Sequence, residues 1–135
     1  MSVVVAYQSS NIGRLALQEA AKEARLRQTG LVIVHVPEGV DIDIVQAQTK
    51  KMRGEITSAL NDVNMLDIDW TLQVETGADV AETVLDQVED AEVELLVIGA
   101  RRRSPVGKML LGSVTQTIIL RADVPVLVVQ PPART

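Results

Sequence analysis

The chain has 135 residues, 47% of them hydrophobic, with a net charge of −5, no Cys, no Phe, one Trp and one Tyr. Zero cysteines exclude disulfides, thiol catalysis and Cys-ligated metal, and no apolar run reaches the roughly 18 residues that span a bilayer. An acidic, aromatic-poor chain argues against general nucleic-acid binding and against stacking on single strands or a flavin ring. The length suits one domain over residues 1–135, its core built from Val, Leu, Ile and Ala as in a buried parallel sheet.

Val3-Val4-Val5-Ala6-Tyr7 is a strand-length apolar run, ended by the turn-like Gln8-Ser9-Ser10-Asn11. Because the chain starts as a strand rather than a basic leader, a cytoplasmic protein is the expectation. Leu15, Ala16, Ala20 and Ala24 then recur at helical spacing over about Ile12 to Arg27, with Gly30 as the expected terminator. Leu31 to Val36 is a second strand, stopped by Pro37-Glu38-Gly39. Asp41 or Asp43 can cap the next helix, which carries Val45, Met52, Ile56, Leu60 and Val63 on one stripe. Gly54 inside it costs about 1 kcal/mol relative to Ala and marks an expected weak spot.

Asp69 to Glu75 alternates apolar and polar residues, the pattern of a strand near a sheet edge. Asp79 and Glu82 have capping-box spacing ahead of a helix that buries Val80, Val84, Leu85 and Val88. Glu94 to Ile98 is a fourth strand, Ser113 to Arg121 a helix, and Pro125 to Gln130 a fifth strand. This alternation of strand and helix predicts a parallel sheet with right-handed crossovers and helices on both faces. Ligands of such sheets bind beyond the carboxyl ends of the strands, where strand order reverses. The ends of the first and fourth strands are therefore the candidates.

The stretch after the fourth strand carries the chemistry. The segment from Gly99 to Gly112 exceeds the roughly 2 to 6 residues usual for a strand-to-helix loop. It holds four basic residues and no acid, whereas Glu75 to Glu94 holds eight acids and no Lys or Arg. Strand, basic loop and helix start together form an anion site, because free N–H groups and the positive helix end favour negative charge. A merely solvated basic loop is the bland alternative. Enzyme readings fail on the residues. Arg102 and Met109 break the G-x-x-x-x-G-K-[ST] phosphate-loop pattern, and G-x-S-x-G is absent. His35, the single histidine, lacks a matched acid or nucleophile and reads as structural. The acids of the third helix read as a solvated face. What remains is phosphate recognition by backbone N–H groups around Gly112-Ser113, the Ser113 hydroxyl and the arginines.

These residues resemble the universal stress protein family over nearly the whole chain. The shared segments are V-V-V-A-Y-x-S-S, L-V-I-V-H-V-P, L-L-V-I-G-A-R-R-R-S-P-V-G-K-M-L-L-G-S-V-T and A-D-V-P-V-L-V-V. The resemblance implies a five-stranded parallel sheet in the order 3-2-1-4-5, a Rossmann-like fold of the adenine-nucleotide alpha-hydrolase type. It also implies a stress-response or regulatory module that binds ATP or a related adenine nucleotide, Mg²⁺ accompanying it. The family's nucleotide motif maps to Gly99, Arg102, Gly112 and Ser113, with Arg102 in place of the second Gly. Arg101 and Arg103 flank it as phosphate partners. Val114 and Thr115 continue the matching G-S-V-T run, and Thr115 is placed to reach a phosphate.

Val36 matches the family's apolar contact to adenine, and Gln8 stands where nucleotide binders carry an Asp near the nucleoside. Arg lacks the φ > 0 freedom and close backbone approach of Gly, though it can pair with phosphate directly. Gln8 can donate and accept hydrogen bonds but supplies no carboxylate. Since the family includes members that bind no nucleotide, a nucleotide-free dimeric interaction protein is the alternative function. ATP hydrolysis is at most weak, because the loop holds no general base or metal-holding carboxylate. The fifth strand, at the end of the sheet order, is an edge whose pairing with a second copy the resemblance implies.

Overall fold

The computed structural model describes residues 1–77, 79–90, 92–100, 102–103 and 109–132. Strands β1 (Ser2–Ala6), β2 (Gly30–His35), β3 (Trp70–Val74), β4 (Val93–Gly99) and β7 (Val126–Val129) form one sheet in the order β3-β2-β1-β4-β7. All neighbours in it run parallel. Helices α1 (Asn11–Leu26), α2 (Ile42–Asp62), α3 (Val80–Asp90) and α4 (Ser113–Arg121) cover both faces. The expected order of five strands is thus found, with β7 as the fifth. Within the basic segment, β5 (Arg102–Arg103) pairs antiparallel with β6 (Met109–Leu110), a small ladder that its composition did not announce.

Side-chain alternation along β1 sorts the core into two layers. Val3, Val5 and Tyr7 face α1 and α2, while Val4 faces α3 and α4 with Val34, Leu96 and Ile98. A central parallel strand covered on both faces must be apolar throughout, as this one is. The stripe that α1 turns to the sheet is largely alanine: Ala16, Ala20, Ala21 and Ala24 are fully buried. Such small residues let the helix axis lie close to β1. β3, at the opposite edge from β7, alternates half-buried and exposed residues as its sequence predicts.

Local signals set most helix starts. Asp41 caps α2 by accepting from the Asp43 and Ile44 N–H groups at 3.0 and 3.3 Å. Asp79 accepts from the Glu82 N–H at 3.0 Å, so the first half of the expected capping box is present. Its second half is not, because the Glu82 carboxylate pairs with Arg121 of α4 instead. Gly30 also departs from expectation. It opens β2 rather than ending α1, and the left-handed residue past that helix is Gln28, with φ 55°. The turn that closes α1 therefore comes two residues before the glycine.

α2 runs unbroken through Gly54, which is exposed, and a Cβ built there meets nothing within 4 Å. The helix tolerates this residue but gains nothing from it, since glycine gives up more backbone entropy on folding than alanine. Gly54→Ala should therefore stabilise the fold by about 1 kcal/mol, read as a higher urea midpoint with an unchanged slope. An unchanged or lower midpoint would show that the glycine relieves a strain in α2.

Candidate functional site

β1 and β4 are neighbours whose onward connections leave to opposite faces, into α1 and α4. A crevice must open between their carboxyl ends. It is a cleft of about 100 Å³ walled by Gln8 after β1, Val36 after β2, Gly99 at the end of β4, and Val114 and Thr115 in α4. Five of the sequence-predicted site residues therefore meet around one cleft. Gly112 and Ser113 stand at the start of α4, outside its immediate lining. Arg102 and Arg103 form β5, and Arg101 lies outside the described residues.

The cleft's shape rests on two close approaches. Ser10 caps α1, its hydroxyl accepting from the Gly13 N–H at 3.0 Å. A Cβ on Gly13 would lie 1.9 Å from the carbonyl oxygen of Gln8, so only glycine lets the helix begin this near the strand end. Gly99 is similar: a Cβ there would meet Ile12 Cγ1 at 2.8 Å. Its glycine thus has a packing reason, beside the phosphate role the family motif implies. Arg102 corrects another expectation. It takes extended backbone in β5, and among the described residues only Gln28 and Asn64 are non-glycines with positive φ. The conformational objection to Arg at that motif position does not apply.

α4 begins at Gly112 with no side-chain cap, so first-turn N–H groups keep donors for water or an anion. Thr115 is buried at 7% exposure and Val36 at 4%, both facing the cleft. Ile12, Gly13, Val80 and Val84 also line it and were not singled out from the sequence. Gly13, three residues after a potential Ser cap, was the one readable signal among them.

A second hollow of about 400 Å³ adjoins the first and shares Gln8 and Val36 with it. His35, Lys51, Met52 and Glu55 line its far side. His35 Nδ1 is 3.0 Å from the carbonyl oxygen of Tyr7. A carbonyl only accepts, so Nδ1 is the donor in this bond. The structural reading of His35 fits this bond, yet the ring also faces the hollow. Tyr7 and Ser9 donate their hydroxyls to one atom, Glu55 Oε2, at 3.3 and 2.7 Å.

Burial raises the Tyr7 pKa above its ordinary 10.0, and the nearby Glu55 charge and hydrogen bond push the same way. Because the shift is upward, Tyr7 contributes stability that is complete below about pH 10 and is lost as pH rises through its folded value. Tyr7 is the single tyrosine, so the rise in absorbance near 295 nm with pH reports it alone. Native protein should ionise at higher pH than the urea-unfolded chain; coincident midpoints would show the hydroxyl to be solvated.

Among the described residues, no helix is long and apolar enough to cross a membrane. Among the same residues, no group of three or more His, Asp or Glu could hold a metal ion.

The profile of the Universal stress protein family matches residues 1–130. A universal stress protein of Mycolicibacterium smegmatis is 35% identical over 130 residues, covering 96% of this chain and 97% of that one. The solved universal stress protein from Archaeoglobus fulgidus is 30% identical with a TM-score of 0.76, covering 95% of this chain and 97% of its own. The structure of the Archaeoglobus fulgidus universal stress protein in complex with dAMP is 27% identical with a TM-score of 0.74, covering 95% and 96%. With the sheet order, the cleft at the β1–β4 crevice and a profile match over nearly its full length in agreement, the chain belongs to the universal stress protein family.

Proposed function

We propose that this protein binds an adenine nucleotide at the carboxyl ends of β1 and β4 and serves as a stress-response or regulatory module. The observation that carries the reading is the convergence of Gln8, Val36, Gly99, Val114 and Thr115 on one cleft. In this reading the base rests toward Val36. The phosphates lie toward Gly112, Ser113 and Thr115, with Arg101, Arg102 and Arg103 as charged partners. A relative of 27% identity, solved in complex with dAMP, supports the same ligand class.

The available space supports it too. The cleft alone, at about 100 Å³, is below the roughly 300–1,000 Å³ of ordinary ligand sites. The adjoining hollow, at about 400 Å³, falls within that range. A nucleotide straddling Gln8 and Val36 would use both, nucleoside in the larger space and phosphates at the helix end. The uncapped start of α4 fits phosphate, since it offers backbone donors and a positive dipole end. Mg²⁺ would enter on the phosphates of ATP rather than in a cage of side chains.

Calorimetry with ATP, ADP and AMP on purified protein tests the reading. Binding is expected; no heat at high micromolar nucleotide would sink it and leave the nucleotide-free interaction protein. Arg101→Ala, Arg102→Ala and Arg103→Ala should each weaken ATP by about tenfold, and AMP by less. Equal losses for both ligands would argue against direct phosphate pairing.

Pairing through the β7 edge is a second element of the proposal. Val126 to Val129 are all only half-buried, and Ile119 and Leu120 of α4 are 38% and 83% exposed. An apolar edge strand with open backbone groups favours a second copy. Sedimentation equilibrium at about 20–50 μM should give the dimer mass, and a monomer throughout would reject this interface.

A further inference from the structure

A carboxylate from a distant helix reaches the rim beside Gln8. Glu55 is on α2, 48 residues from Tyr7 and 46 from Ser9, yet both hydroxyls converge on its Oε2. This half-buried carboxylate lines the larger hollow beside Gln8 and Val36. Its Oε2 is taken, while among the described residues no hydrogen bond or ion pair engages Oε1. Lys51, one helical turn earlier on the same helix, also lines the hollow without pairing to Glu55. In dinucleotide folds, too, it is an Asp or Glu carboxylate that accepts from a ribose hydroxyl.

We propose that Glu55 is the acceptor for the ribose hydroxyls of the bound nucleotide, held in place by Tyr7 and Ser9. The assignment rests on the nucleotide reading above. The two hydroxyl bonds lock the carboxylate's rotamer, so little side-chain freedom remains to be lost when ligand binds. An ionised carboxylate carries no proton, so its remaining oxygen can only accept. A sugar diol, which donates, suits that surface. Gln8 beside it can both donate and accept, and so can satisfy the ring oxygen or base rather than duplicate the carboxylate.

Glu55→Gln is the direct test. The amide oxygen can still accept from Tyr7 and Ser9, while an NH₂ donor replaces the remaining oxygen. Calorimetry compares AMP, 2′-deoxy-AMP and 3′-deoxy-AMP on wild type and variant. Wild type should bind at least one deoxy ligand about tenfold more weakly than AMP, the weaker one naming the hydroxyl that Glu55 holds. E55Q should bind AMP about tenfold more weakly and the affected deoxy ligand nearly as wild type does, levelling the preference. Ser9→Ala should lower the preference in the same direction by less. A ligand-free readout shows whether the contact itself is altered: E55Q should lower the ionisation midpoint of Tyr7. Equal wild-type affinity for all three ligands, or a preference that survives in E55Q, overturns the assignment while nucleotide binding stands. No heat from any of them overturns both.

Discussion

The close passage of α1 over the end of β1 is the constraint on which the rest of the molecule depends. β1 is the central strand, with Val3 and Val5 fully buried on one face and Val4 on the other. It lies between β2 and β4, with Val3 opposite Leu31 on one side and Leu95 on the other. The alanine stripe of α1 brings the helix down onto that strand, and Gly13 lets its first turn lie against the Gln8 carbonyl. Gly99 then fits against Ile12 from the other side. Where β1 ends, and hence where Gln8 and Tyr7 point, follows from this packing rather than from anything in the loop.

The site that results divides its labour by element. Its apolar wall comes from strand ends and helix faces that are part of the two cores, such as Val36, Ile98 and Ile118. Its polar groups come from turns and from helices arriving separately: Gln8 and Ser9 after β1, His35 at the end of β2, Glu55 on α2 and Thr115 on α4. No single element carries a complete set of donors and acceptors. The polar lining is therefore a property of the sheet's ordering, which brings these ends to one rim. The many exposed ion pairs, among them Lys22–Glu19 and Arg27–Glu94, lie elsewhere on the surface and contribute little each.

Charge follows the same geography. Eight acids fall between Glu75 and Glu94, and four basic residues between Gly99 and Gly112. β4 separates the two blocks, leading from the α3 side into the β1–β4 crevice. Four of the 13 basic residues thus follow the end of β4, and the stretch leading into that strand is acidic. An ion pair joins Glu82 of the acidic block in α3 to Arg121 of α4, which lies outside the basic segment. It replaces the local capping bond that Glu82 would otherwise make to the start of its own helix, a case of tertiary packing overriding a short-range motif.

The amino-acid sequence by itself determined the five strands of the main sheet and the four helices, because burial periodicity and caps such as Asp41 and Asp79 act over a few residues. It also marked Gly99, Gly112 and Ser113, whose spacing is a family signature. It misjudged Gly30, since helix termination was settled at Gln28 by backbone geometry that composition does not display. It measured Arg102 against the φ > 0 freedom of a glycine, because the short β5–β6 ladder that gives Arg102 extended backbone depends on pairing across the loop. It did not see Glu55 at all. A single Glu in the helical pattern carries no local mark of its partners, and it meets Tyr7 and Ser9 only when α2 packs beside α1. Tertiary structure alone could decide that, because a hydrogen bond between residues 48 apart is a consequence of sheet order and helix packing, not of neighbouring sequence.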